Sequence, residues 1–94
     1  MFTSEELHLL RADTPGTAHR IHLNNAGAGL MPKPVLESMQ NHLQLEAEIG
    51  GYEAAAVQKT AIADFYHQLA LLLNAQPHQI AYCHQATQAY TDSV

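Results

Sequence analysis

The stretch His22-Leu23-Asn24-Asn25-Ala26-Gly27-Ala28-Gly29-Leu30-Met31-Pro32-Lys33-Pro34 is the part of the chain around which the rest is organised. A short apolar run at 21–23 leads into two asparagines, and a loop of small residues follows. Gly27 and Gly29 permit positive φ angles and the close approach of a second chain or a ligand. The two prolines preset the φ angle of the first turn of a helix. The stretch therefore predicts a strand, an open loop and then a helix, although a plain connector has the same composition.

Length and charge limit the classes of protein to which the chain can belong. With 94 residues it can form one domain at most, burying about 60–65% of its unfolded surface. A net charge of −5 argues against nucleic acid, which is normally met by a basic patch. The few cations are scattered along the sequence: Arg11, Arg20, Lys33 and Lys59.

The remaining bulk properties favour a cytoplasmic protein. Cys83 is the single cysteine, so no disulfide can form within the chain. The acidic N-terminus is unlike a secretory signal, and no apolar run is long enough to cross a membrane.

Hydrophobic periodicity predicts three helices before the last strand. The first is short and begins with a capping box between Thr3 and Glu6. The second runs from Pro34 to Ile49 and ends at Gly50-Gly51. The third covers about 53–73, with Asn74 as its C-cap.

Two short strands complete the prediction. Residues 20–24 alternate polar and apolar side chains, and 79–84 form a short, mostly apolar run after a turn. Thr87 can then cap a new helix. The predicted organisation is an N-terminal helix and loop (1–20), a strand and loop (21–33), a helical hairpin (34–73), and a strand and turn into a helix (74–94).

The junction at Gln85-Ala86-Thr87 is a second candidate site. A helix start offers unpaired N–H groups, and a threonine hydroxyl can add a hydrogen bond to a phosphate oxygen. The alternative is that Thr87 serves only as an N-cap. The seven histidines show no metal-binding spacing, so no metal site is expected. No catalytic arrangement of side chains can be read from the sequence either.

The order of these segments resembles the N-terminal part of the class V aminotransferase family. The likeness covers about 21–94 and rests on Leu23-Asn24-Asn25-Ala26-Gly27-Ala28-Gly29-Leu30-Met31-Pro32, two helices, Ile80-Ala81-Tyr82, and Ala86-Thr87-Gln88-Ala89. These are pyridoxal-phosphate enzymes of fold type I, and they include cysteine desulfurases, selenocysteine lyases and isopenicillin N epimerase-like proteins. The resemblance implies an α/β parent enzyme, of which residues 1–94 would be the N-terminal segment, mostly helical with two short strands.

Several residues acquire expected roles from this resemblance. Ala86 and Thr87 correspond to the pair that holds the phosphate of pyridoxal 5'-phosphate. Asn25, Ala26 and Gly27 are similar to the loop on the substrate side of the pocket. Tyr52 follows Gly50-Gly51, where family members offer a loop to the site of the partner subunit, so Tyr52 is a candidate for that loop. The resemblance also implies a homodimer and an amino acid substrate.

Other parts of the family's machinery have no counterpart here. The lysine that binds the cofactor covalently, and the aspartate for its pyridine nitrogen, belong to regions downstream of residue 94. The segment alone is therefore expected to be non-catalytic. A rival interpretation is a non-catalytic helical hairpin that self-associates or binds another protein through its apolar faces.

Overall fold

The computed structural model describes all 94 residues, and every regular element in it is helical. The five α-helices are α1 (Ser4–Ala12), α2 (Lys33–Ile49), α3 (Gly51–Val57), α4 (Lys59–Leu73) and α5 (Ala86–Ser93). Two 3₁₀-helices cover Pro15–Ala18 and Pro77–Gln79. The chain forms two compact units, Met1–Ala54 and Ala55–Val94, and each is described by itself.

The predicted α/β fold class is wrong, because neither of the two short strands forms. Residues 20–24 and 79–84 contain no strand pairing. Ile80 has extended backbone angles, φ −101° and ψ 128°, so part of the second segment has the local geometry of a strand. A strand becomes regular structure only when a neighbouring strand accepts its hydrogen bonds, and these 94 residues provide none.

The first unit begins as the sequence predicts. The Thr3 backbone N–H donates to the Glu6 carboxylate at 2.7 Å, and the Glu6 backbone N–H donates to the Thr3 hydroxyl at 3.1 Å. This reciprocal pair is the capping box, and it starts α1. Arg11 lies in the last turn of α1, where a positive charge is favourable.

Gly50 separates α2 from α3. Its φ of 95° and ψ of 155° lie in a region that is essentially restricted to glycine, so α2 ends at Ile49 as predicted. Gly51 is already the first residue of α3. The single helix predicted over 53–73 is interrupted at Gln58, where φ −91° and ψ 9° leave the helical region.

In the second unit, Asn74 ends α4. This residue adopts a left-handed conformation, φ 53° and ψ 46°, which confirms its predicted role as C-cap. The Ala75 N–H donates to the Ala70 carbonyl at 2.9 Å and the Asn74 N–H to that of Leu71 at 3.4 Å. These two bonds are those of a Schellman motif.

Aromatic contacts connect the extended segment after Gln79 to α4. The ring of Tyr82 lies 6.0 Å from that of Phe65, centre to centre, in an edge-to-face arrangement. Phe65 has the same relation to Tyr66 at 5.3 Å. The apolar residues that suggested a strand therefore pack in part against a helix.

Little of the apolar surface is covered. Ala54 and Ala70 are the only buried residues, and the chain exposes 8378 Å². Several large side chains on the predicted apolar faces are open to solvent, among them Val35, Met39, Leu43, Val57 and Leu72.

Candidate functional site

The residues Asn25, Ala26 and Gly27 form a turn in the first unit. The Asn24 carbonyl closes this turn by accepting from the N–H groups of Gly27 and Ala28, both at 3.1 Å. A side chain at position 27 would meet the Asn24 amide, since a Cβ there would lie 2.7 Å from Nδ2. A larger residue at 27 would therefore displace the exposed Asn24 amide from its position against the turn.

The His22 side chain forms a hydrogen bond with Ala28, the residue that follows the same turn. Its Nε2 lies 2.7 Å from the Ala28 carbonyl oxygen. Because a carbonyl can only accept, Nε2 must carry the hydrogen, and Nδ1 is the nitrogen left for another partner.

A cavity of about 930 Å³ lies beside this turn. Asn25 and Gly29 contribute to its lining, whereas Ala26 and Gly27 do not. The structure thus places the three predicted substrate-side residues in one turn but brings only Asn25 to a concave surface.

Two contacts close the chain around the cavity. The Lys33 N–H donates to the Asp13 carbonyl at 2.7 Å, which joins the start of α2 to the end of α1. Leu30 packs on Gly16 so closely that a Cβ at 16 would lie 2.9 Å from its Cδ2. The residues between 13 and 33 therefore form a loop whose two ends meet.

Ala86 and Thr87 occupy the first two positions of α5 in the second unit. Their N–H groups precede the first intrahelical bond of this helix, in which the Ala89 N–H donates to the Gln85 carbonyl at 3.2 Å. The N–H groups at a helix start are the ones that bind anions when a ligand is present.

Thr87 does not serve as the N-cap, because Gln85 holds that position and makes no side-chain capping bond. The Thr87 carbonyl accepts from the Thr91 hydroxyl at 2.9 Å. The Thr87 hydroxyl itself is not engaged in capping the helix.

Tyr52 and Cys83 lie outside the turn at 25–27 and the start of α5. Tyr52 is the second residue of α3 and is 93% exposed, so its ring packs on nothing in its own unit. Cys83 is half-buried beside Tyr82. No group of three or more His, Cys, Asp or Glu side chains is arranged to hold a metal ion.

Hydrogen bonding displaces the pKa of one carboxyl group, that of Glu6, from its ordinary value. The Thr3 backbone N–H, followed by the Thr3 hydroxyl, holds the pKa of the Glu6 carboxyl below its ordinary value. This shift belongs to the capping box of α1 and lies outside both candidate sites.

No signal in the sequence indicates that Arg11 and Arg20 line one cavity. The two residues are nine positions apart in the sequence and lie in different elements, so no spacing rule relates them. Both line the cavity beside Asn25.

Comparison with protein-family models, curated proteins and solved structures found no match to this chain. None of the five α-helices has both the length and the apolar character required to span a bilayer.

Proposed function

We propose that this chain is the N-terminal segment of a cytoplasmic pyridoxal-phosphate enzyme of the class V aminotransferase type, acting on an amino acid. One observation carries the proposal: Ala86 and Thr87 begin α5 with N–H groups that precede its first helical bond and a hydroxyl not used for capping. The two strands that the resemblance implied do not form. The proposal is therefore supported by the sequence motifs and by the start of α5.

The residues present fit the phosphate of the cofactor. The N–H groups of Ala86 and Thr87 would donate to phosphate oxygens, and the Thr87 hydroxyl would add a further donor. Asn25, Ala26 and Gly27 would form a wall on the substrate side, and Tyr52 would reach the site of a partner subunit. When bound, pyridoxal phosphate supplies an electron sink for bonds broken at the α-carbon of an amino acid.

The 94 residues would orient and bind but would not catalyse by themselves. Lys33 and Lys59, the only lysines, are on the surface and lack the desolvated setting that activates an amine. The choice between aminotransfer, desulfuration and epimerisation would be made by residues outside this segment.

The phosphate assignment is tested by recording amide ¹H–¹⁵N spectra of the chain during a titration with pyridoxal phosphate. We expect shifts at Ala86, Thr87 and Gln88, and a reduced response in Thr87→Val. Ser93→Ala is the matched control, because it removes a hydroxyl from the last residue of the same helix, where the Ser93 hydroxyl donates to the Tyr90 carbonyl and not to the helix start. No response at these three amides, or an equal loss in both variants, would overturn the assignment.

The cofactor requirement of the intact protein needs a second measurement. The full product of the gene that encodes this segment should carry pyridoxal phosphate through gel filtration and show the visible absorbance of the bound cofactor. A full-length product that emerges from gel filtration without cofactor absorbance, after incubation with excess pyridoxal phosphate, would exclude the enzyme.

A second candidate function is a non-catalytic helical interaction module that forms dimers or binds another protein. The observation that favours it is the exposure of apolar side chains on α2 and α4 in a chain without strands. A full-length product that associates through these helices and binds no cofactor would support this module and exclude the enzyme.

A further inference from the structure

Positive charge is concentrated at the cavity of the first unit. The chain has nine acidic residues and only four Lys and Arg, yet two of those four, Arg11 and Arg20, line this one cavity. No aspartate or glutamate is among the lining residues. In an acidic protein, such an arrangement makes a local region that attracts anions.

Neither arginine is neutralised by the protein. The single ion pair in the structure joins His42 and Glu46 on α2, so the guanidinium groups of Arg11 and Arg20 make no salt bridge. Asp13 is close in sequence to Arg11 but does not pair with it. Both guanidinium groups therefore keep their donors available, and an arginine fork matches two oxygens of one carboxylate or phosphate.

Polar side chains and a hydrogen-bonded loop accompany the two charges. His8, His22 and Asn25 also line the cavity, and Asn25 offers an amide that can donate. The Thr17 hydroxyl lies within hydrogen-bonding distance of the Arg11 and Thr14 carbonyls, at 2.8 and 2.9 Å. That contact anchors the 3₁₀-helix to the end of α1, so the loop carrying Arg20 is tied to the helix carrying Arg11.

The lining also has an apolar part. Ile21, Leu23 and Leu30 contribute to it, and Ile21 and Leu23 are about nine-tenths exposed. The volume of about 930 Å³ belongs to a concavity that is open to solvent, since these two apolar side chains are exposed. The concavity thus offers an anionic group two positive charges beside an open apolar surface.

We infer that Arg11 and Arg20 form a binding site for an oxyanion, the carboxylate or phosphate group of a small molecule, in the cavity beside Asn25. The site is separate from Ala86 and Thr87 and does not depend on pyridoxal phosphate. It shares Asn25 with the proposed substrate wall, which would then meet an acidic group of the ligand.

The test is a calorimetric titration of the chain with pyrophosphate and, separately, with succinate at constant ionic strength. We expect saturable binding of at least one probe and a loss of about tenfold or more in affinity in Arg11→Gln and in Arg20→Gln, since a hydrogen bond to a charged group contributes about 1.5–3 kcal/mol. Tighter binding of pyrophosphate identifies a phosphate ligand, and tighter binding of succinate identifies a carboxylate ligand.

Lys59→Gln is the matched control, because it removes one positive charge from the second unit. The affinity of this variant should stay within about twofold of that of the unmodified chain, because Lys59 does not line the cavity. An equal loss in Lys59→Gln, or linear non-saturating heats with both probes, would overturn the inference. Amide spectra separate this result from the cofactor proposal, because the anion site perturbs Arg11, Arg20 and Asn25 while leaving Ala86 and Thr87 unchanged.

Discussion

Replacing Leu72 by glutamine should weaken self-association of the chain through the apolar face of α4. Leu72 is 78% exposed and lies on the stripe predicted from the sequence. Leu71 and Leu73 beside it are 77% and 63% exposed, so this end of α4 presents an apolar surface that a second copy of the chain can cover.

The size of the effect follows from the exposed fraction. Full burial of a leucine side chain contributes about 2 kcal/mol, so burying the exposed part of Leu72 contributes about 1.6 kcal/mol per copy. A two-fold symmetric dimer uses the residue twice, which gives about 3 kcal/mol. The dimer dissociation constant should therefore rise by about two orders of magnitude in Leu72→Gln.

Sedimentation equilibrium over a range of micromolar concentrations measures this constant. Glutamine is a good helix former, so α4 should persist, and circular dichroism checks that it does. Leu9→Gln is the control, because Leu9 is similarly exposed at 62% but lies on α1. A monomer at all concentrations, or an equal shift in both variants, would refute the reasoning that the α4 face drives association.

Three further predictions concern local structure. Gly50→Ala should lower the free energy of unfolding by about 1–3 kcal/mol, because the backbone angles of Gly50 are essentially restricted to glycine. Gly51→Ala should be neutral or stabilising, because Gly51 is helical and has open space at its Cβ position. Thermal melts compare the two variants. Asn74→Ala should destabilise the end of α4 by about 1 kcal/mol because its left-handed angles are unfavourable for alanine, whereas Asn74→Gly should retain the cap; hydrogen exchange at the Ala75 amide reports the difference. The Glu6 carboxyl has a lowered pKa in the folded chain, so its contribution to α1 is present above its ordinary pKa and is lost as the pH falls through the lowered value. An NMR titration of the Thr3 amide follows that loss, and unchanged Thr3 protection through acid would contradict it.

The features predicted correctly from the sequence are those decided by neighbouring residues. The capping box needs only Thr3 and Glu6, and the breaks at Gly50 and Asn74 depend on the backbone preferences of single residues. The strands depended on partners far away in the chain, so an extended preference at Ile80 did not produce a sheet. The break at Gln58 carries no proline or glycine, and no local signal indicated it.

The candidate sites divide in the same way. The small-residue turn at Asn25 and the helix start at Ala86 were recognisable because each is built from consecutive residues. The cavity lined by Arg11 and Arg20 was not, because its lining residues come from α1, the 3₁₀-helix and the loop that follows it. No spacing rule in the sequence brings such residues to one surface.

The exposed apolar faces do not distinguish the enzyme segment from the interaction module, because both require a partner surface over α2 and α4. The polar features do distinguish them. A helix that only associates has no need for an uncapped start bearing Thr87, nor for two unpaired arginines around one cavity. Arg20 makes no salt bridge, so Arg20→Gln removes no ion pair from the fold. If Arg20→Gln leaves the thermal stability of the chain unchanged while lowering its affinity for oxyanions, the charge is present for binding, and the module alone does not account for this surface.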